Sequence, residues 1–186
     1  ETGFAHVDNH WQFKDSTEVH TGVNFTQEGV RVPFQIYPGI FVPAGSYNNV
    51  EVQPVIMTNQ GRAVSVNLQT FFGGFFSGHR KTINPTVRFR AGQQLTGEVS
   101  YQRNDVDLPQ GDFVTNLVRT RLSYSFTPRI FVQSLVQYND RADVWSMNLR
   151  FGWLQAANTG LFVVYNDTRG LYELNPTPQR EDRSLV

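Results

Sequence analysis

Cysteine is absent from this 186-residue chain. That excludes a disulfide framework, a thiolate metal site and a cysteine nucleophile. Net charge is absent too, because 16 Lys and Arg balance 16 Asp and Glu. No global field favours nucleic acid, which is therefore not an expected partner. Long apolar runs are missing: a stretch such as Leu161 to Tyr165 falls far short of the ~18–20 residues a membrane helix needs. A helical span is excluded, but a β-barrel is not, since its strands alternate and average out as polar. No Gly-x-Ser-x-Gly motif occurs, and the scattered carboxylates form no persuasive acid/base pair. The expectation leans away from an enzyme, and no cofactor is expected.

What the chain does have is aromatic residues and alternation. Aromatics make up 13%, with 15 Phe, which is high for a chain with so few apolar runs. From Val144 to Leu154, Trp145, Met147, Leu149, Phe151 and Trp153 fall on one face, against Ser146, Asn148, Arg150 and Gly152. Over 113–126, Val114, Val118, Leu122, Tyr124 and Phe126 oppose Thr115, Arg119, Arg121 and Ser123. The same period of two places Val99 opposite Glu98, Val87 and Phe89 opposite Arg88 and Arg90, and Val66 opposite Asn67. Trp11 and Phe13 likewise oppose His10 and Gln12. Such alternation marks half-covered strands. It predicts an all-β fold, an antiparallel up-and-down meander of about 10–11 strands, each about 9–13 residues long. That length suits a tilted crossing of a bilayer better than a soluble strand of ~5–6 residues.

The connections are expected to alternate. Short ones are read near 14–17, 59–61, 91–94, 126–129 and 155–159. Longer ones are read near 28–45, 73–80, 105–111 and 167–182, with 139–142 short on the long side. Membrane barrels show this asymmetry of periplasmic turns and outer loops. Aromatics on the apolar face gather near both strand ends. Trp11, Phe89, Phe126 and Trp153 lie toward the short turns, and Tyr101, Tyr138 and Trp145 toward the long ones. Two such girdles are expected where amphipathic rings meet lipid headgroups. Arg103 falls on the apolar face but at a strand end, where its stem can snorkel. Pro54 and Pro85 sit inside proposed strands, where a ladder donor is lost. Residues 161–165 are apolar on both faces, which leaves their register open.

The polar face carries Arg88, Arg90, Glu98, Arg119, Arg121 and Arg150, read as lumen-facing. They fit either a field across a pore or an ion-pair network filling it. His6-x-Asp8-x-His10 places three weak metal candidates on one strand face, successive side chains standing about 6.6 Å apart. A shared metal there needs help from a neighbouring strand, with His20 the candidate, and a polar strand face is the plainer reading. The run Phe71-Phe72-Gly73-Gly74-Phe75-Phe76-Ser77-Gly78 reads as an aromatic, glycine-hinged loop that rests on lipid, packs locally or stacks on sugar.

Several stretches also carry a resemblance. They are Arg103-Asn104-Asp105-Val106-Asp107-Leu108-Pro109, Tyr124-Ser125-Phe126-Thr127-Pro128-Arg129, Asn148-Leu149-Arg150-Phe151-Gly152-Trp153 and Leu161-Phe162-Val163-Val164-Tyr165-Asn166. Upstream, Ile40-Phe41-Val42-Pro43-Ala44-Gly45-Ser46-Tyr47 and Phe75-Phe76-Ser77-Gly78 join them in matching order. Together they resemble the C-terminal domain of an uncharacterised bacterial family that joins a family-9-type carbohydrate-binding module to a membrane barrel. The resemblance implies a bacterial outer-membrane location, lipid as a partner, and carbohydrate reached through an upstream module. It assigns catalysis to no residue. Residues 1–186 are then expected to be one β-barrel domain, a C-terminal fragment of a longer protein and, taken alone, an open curved sheet. The rival readings are a soluble all-β glycan-binding module and a hydrolase embedded in the barrel.

Overall fold

In a computed structural model, residues 2–156, 159–170 and 179–185 are described. The fold is all-β and antiparallel. The strands are β1 (Thr2–Gln12), β2 (Glu18–Val30), β3 (Phe34–Tyr37), β4 (Ile40–Val42), β5 (Gly45–Met57), β6 (Val64–Phe75) and β7 (Gly78–Ala91). They continue as β8 (Leu95–Leu108), β9 (Gly111–Thr127), β10 (Ile130–Asn139), β11 (Val144–Ala156), β12 (Thr159–Gly170) and β13 (Gln179–Leu185). Eleven of them form one sheet in the order β1-β2-β5-β6-β7-β8-β9-β10-β11-β12-β13, and β3-β4 form a separate two-stranded sheet. This is the expected meander. Among the described residues β1 and β13 are not paired with each other, so the sheet is open.

The strands are longer than expected at one end, and this corrects the expected loops. β6 runs to Phe75 and β7 starts at Gly78, so the connection predicted over 73–80 is only Phe76-Ser77. The run 71–78 is consequently strand and tight turn, not a hinged loop. Gly73 and Gly78 serve close backbone approach there. A Cβ on Gly73 would strike the Val50 carbonyl, and one on Gly78 the Asp107 carbonyl. The loop predicted over 105–111 shrinks in the same way to residues 109–110, between β8 and β9. β12 continues to Gly170, past the predicted loop start at 167. Among the described residues the asymmetry of connections is thus weaker than predicted; residues 171–178 of the loop expected over 167–182 lie outside them. The span 31–44 keeps its length, but it is built around the β3-β4 hairpin, which alternation did not reveal.

Both prolines lie inside strands. Pro54 faces Thr21 of β2, where Thr21↔Pro54 is one of the paired positions. On its other side the β5-β6 pairing passes from Val52↔Phe72 to Val55↔Gln69, and Pro54 falls in the gap. Its carbonyl accepts the Thr70 hydroxyl at 3.2 Å. The missing N–H therefore costs no ladder bond at the paired positions of β5 and β6, and the strand continues. The register of 161–165 is also settled. Leu161, Val163 and Tyr165 oppose Trp153, Phe151 and Leu149, while Phe162 opposes Gly152 and Val164 opposes Arg150.

The chain divides into two compact units, each described separately. The first comprises Glu1–Gln60, Val66–Pro85 and Gln102–Thr115, and the second Gly61–Ser65, Thr86–Tyr101 and Asn116–Val186. The first contains a small apolar core. Ile40 and Val42 of β4 pack with Val106 and Leu108 of β8, and Val30, Tyr47, Phe75, Phe76 and Phe113 close around them. These positions share the parity of the polar residues on their strands, so the hairpin covers the polar face at one end. Tyr37 stacks on Phe113 with centroids 4.6 Å apart, and Phe76 meets Tyr47 edge-on at 5.4 Å. That packing holds Phe76 in the tight turn at φ 49°, a left-handed conformation uncommon for a bulky residue.

Candidate functional site

Burial runs opposite to hydrophobicity along the strands. On β5, Val50 and Val52 are 50% and 45% exposed, while Glu51 between them is 9% exposed. On β6 exposed Val64 and Val66 flank buried Ser65. Asn24 of β2 and Thr82 of β7 are buried, and Phe25 and Ile83 beside them are exposed. An ordinary soluble sheet hides its apolar face and wets its polar one. These strands leave Val50, Val52, Val64 and Val66 exposed and surround the polar side chains between them with one another.

Many of the covered polar groups are satisfied by their neighbours. In the first unit, Arg80 holds Glu51 through Nε at 3.0 Å and Nη2 at 2.7 Å. Thr82 donates to Asn104 at 2.9 Å, and Asn104 donates to Thr115 at 3.0 Å. Asn24 lies 2.6 Å from the His6 ring and donates to Gln53 at 3.0 Å. In the second unit, Arg88 pairs with Glu98 at 2.7 Å. Arg90 donates to the carbonyls of Gly61 at 2.9 Å and Arg62 at 3.4 Å. The Arg150 guanidinium lies over the Phe162 ring at 4.6 Å. Among the described residues, Arg119 and Arg121 have no carboxylate within ion-pair distance.

Of the six residues read as lumen-facing, then, Arg88 and Glu98 form a pair, Arg90 caps a turn and Arg150 rests on an aromatic ring. Only Arg119 and Arg121 remain as candidates for a field. The pair of Arg80 with Glu51 is not legible once 73–80 is read as a loop. Its signal was present: Arg80 continues the even-numbered polar series Thr82, Asn84, Thr86 and Arg88.

The predicted girdle residues divide. Trp11, Phe126 and Trp153 are exposed, at 46%, 53% and 52%. Tyr138 and Trp145 are half-buried and directly paired across β10 and β11. The Tyr101 hydroxyl donates to Asn116 at 2.5 Å, and Asn116 in turn donates to Asp140. Trp145 carries the Arg169 guanidinium over its ring at 5.2 Å, while Arg169 also binds Asp167 at 2.8 Å. Phe89 does something different: its ring covers Gly97 on the neighbouring strand. That is an aromatic shield for a strand glycine, a use alternation could not reveal.

The histidines also divide. His6 is engaged by Asn24. His10 and His20 face each other across β1 and β2, with ring centroids 3.8 Å apart. Glu18 Oε2 lies 3.3 Å from His10 Nε2 and 3.5 Å from His20 Nε2. Asp8 lies 3.9 Å from His20 Nδ1. Glu18 was the residue that sequence reading missed. It sits two positions before His20 on the same face, just after the turn.

The fold and the polar face define a class: an open antiparallel meander whose covered side is polar. Beyond that class, no protein family, curated protein or solved structure matches the chain.

Proposed function

We propose that this chain is an outer-membrane β-barrel module of a bacterial cell surface, with lipid as the partner of its apolar face. The inverted burial carries this reading, most plainly Val50 and Val52 exposed on either side of a nearly buried Glu51. Uncovered valines, leucines and aromatics would be costly in water, and such extended apolar surface is rarely left exposed. In a bilayer the same face is solvated by acyl chains. Strand length agrees. β9, with 17 residues, extends about 56 Å at ~3.3 Å per residue, enough to cross a tilted hydrocarbon layer and project beyond it.

One further feature fits a barrel: among the described residues the outer backbone edge of β1 is unpaired, and closure is how a sheet in a membrane satisfies such an edge. The resemblance to the family with a carbohydrate-binding module extends the proposal to carbohydrate recognition or uptake. The soluble-sandwich alternative needs a protein layer over Leu122, Leu149 and Trp153. The only second layer among the described residues, β3-β4, packs instead at positions of polar-face parity.

Cell fractionation tests the reading. The full-length protein should partition with outer membranes, require detergent for extraction and migrate differently on a gel before and after heating. Recovery in the soluble fraction, folded in plain buffer, would overturn it.

A further inference from the structure

We propose that His10, Glu18 and His20 form a binding site for a divalent late transition metal such as Zn²⁺, beside the β1-β2 turn. The three side chains each offer one ligand atom, all within 4.8 Å of one another. Two ligands on one tetrahedral zinc, bound at about 2.0–2.1 Å, stand about 3.3 Å apart. The Glu18 carboxylate already meets that spacing, at 3.3 Å to His10 and 3.5 Å to His20. Only the edge between the two imidazoles has to close.

The surroundings suit a metal better than a simple ion pair. His20 Nε2 is buried and makes no hydrogen bond, although it points into the cluster. Gln12 donates to Glu18 Oε1 at 3.2 Å, which orients the carboxylate with Oε2 toward the histidines. Asp8 sits on the far side of the His20 ring, 3.9 Å from Nδ1. A carboxylate there favours the tautomer with Nδ1 protonated and leaves Nε2 as the lone-pair donor. Two imidazoles and one carboxylate form a borderline nitrogen and oxygen set, suited to Zn²⁺ and its neighbours and poorly suited to Ca²⁺ or Mg²⁺. His10 is half exposed, which gives the ion an entry path and leaves room for a water as fourth ligand.

The fold makes this arrangement for a clear reason. His10↔His20 and Gln12↔Glu18 are direct cross-strand partners. A strand alone spaces same-face ligands too widely, but an antiparallel pair brings opposing side chains to about 4.5–5.5 Å at Cβ. The site stands on β1 and β2 alone and does not depend on the membrane reading.

Zinc titration of the full chain, by calorimetry at neutral pH in chelator-free buffer or micelles, tests it. One saturable equivalent is expected, weakened at least about tenfold in His20→Gln and in Glu18→Gln, and unchanged in His6→Gln. Co²⁺ should give intense visible bands of four- or five-coordinate character, lost in the same two variants. No saturable binding, affinity in His20→Gln and Glu18→Gln unchanged from that of the unsubstituted chain, or loss in His6→Gln alone would overturn the proposal. Circular dichroism of each variant separates lost ligands from lost fold, and fractionation reports the membrane reading independently.

Discussion

An arginine scan down the apolar face would measure what solvates it. Leu149 lies midway between Trp145 and Trp153 on β11, four residues from each, and is 37% exposed. Four residues at ~3.3 Å each, on a strand tilted about 40°, place it about 10 Å in height from either tryptophan. If those rings mark the two headgroup levels, Leu149 sits near the centre of the apolar band, which is about 25 Å tall in such barrels. Leu149→Arg should then cost about 2–4 kcal/mol of folding free energy in lipid vesicles. A 3 kcal/mol loss is roughly a hundredfold in the folding equilibrium. Leu161 shares that face but opposes Trp153, at the level of the girdle. Leu161→Arg should cost only about 0–1 kcal/mol. Urea titrations of variants refolded into vesicles, followed by tryptophan fluorescence, give both values. A face open to water predicts changes within about 0.5 kcal/mol at both positions. Either that result, or equal losses at 149 and 161, would refute the placement, because only a bilayer produces a cost graded by depth across the apolar face of these two neighbouring strands.

Other perturbations test the polar side and the hairpin. Glu51→Gln leaves the Arg80 guanidinium without its carboxylate in a mostly covered site, and should cost about 1–3 kcal/mol in the same urea assay. Glu98→Gln should cost less than about 1 kcal/mol, because its partner Arg88 is half exposed; equal losses would contradict the burial difference. Leu108→Ala opens a cavity in the apolar core under the hairpin, for about 2–5 kcal/mol. Its effect should appear as faster amide exchange in β3, β4 and the adjoining end of β8, while amides of β11 and β12 keep their protection. Uniform loss across all strands would show that this core is not local.

The apolar and polar residues of β11 could be read directly from Trp145 to Trp153, because a side-chain period of two needs no knowledge of neighbours. The same held for Arg88, Arg90 and Glu98. The connections were less legible. Gly73-Gly74 looks like a loop hinge, but each glycine faces a crowded neighbour, a requirement visible only once β5 lies alongside β6. The hairpin β3-β4 was hidden for a related reason. Its strands of four and three residues are too short to show a period, and its burial comes from Val106 and Leu108, far away in sequence.

The histidine cluster shows the same division at the level of chemistry. His6, Asp8 and His10 are close in sequence, yet a strand holds successive members of such a set about 6.6 Å apart. Pairing with β2 turned His6 toward Asn24 and brought His20 and Glu18 to His10. By itself the sequence determined which side chains share a face, and hence the antiparallel meander with one apolar and one polar side. Only the tertiary structure decided which side is covered, how far each strand extends, and which histidines meet. Alternation encodes the two faces locally, whereas burial and register depend on chain segments that come together from a distance.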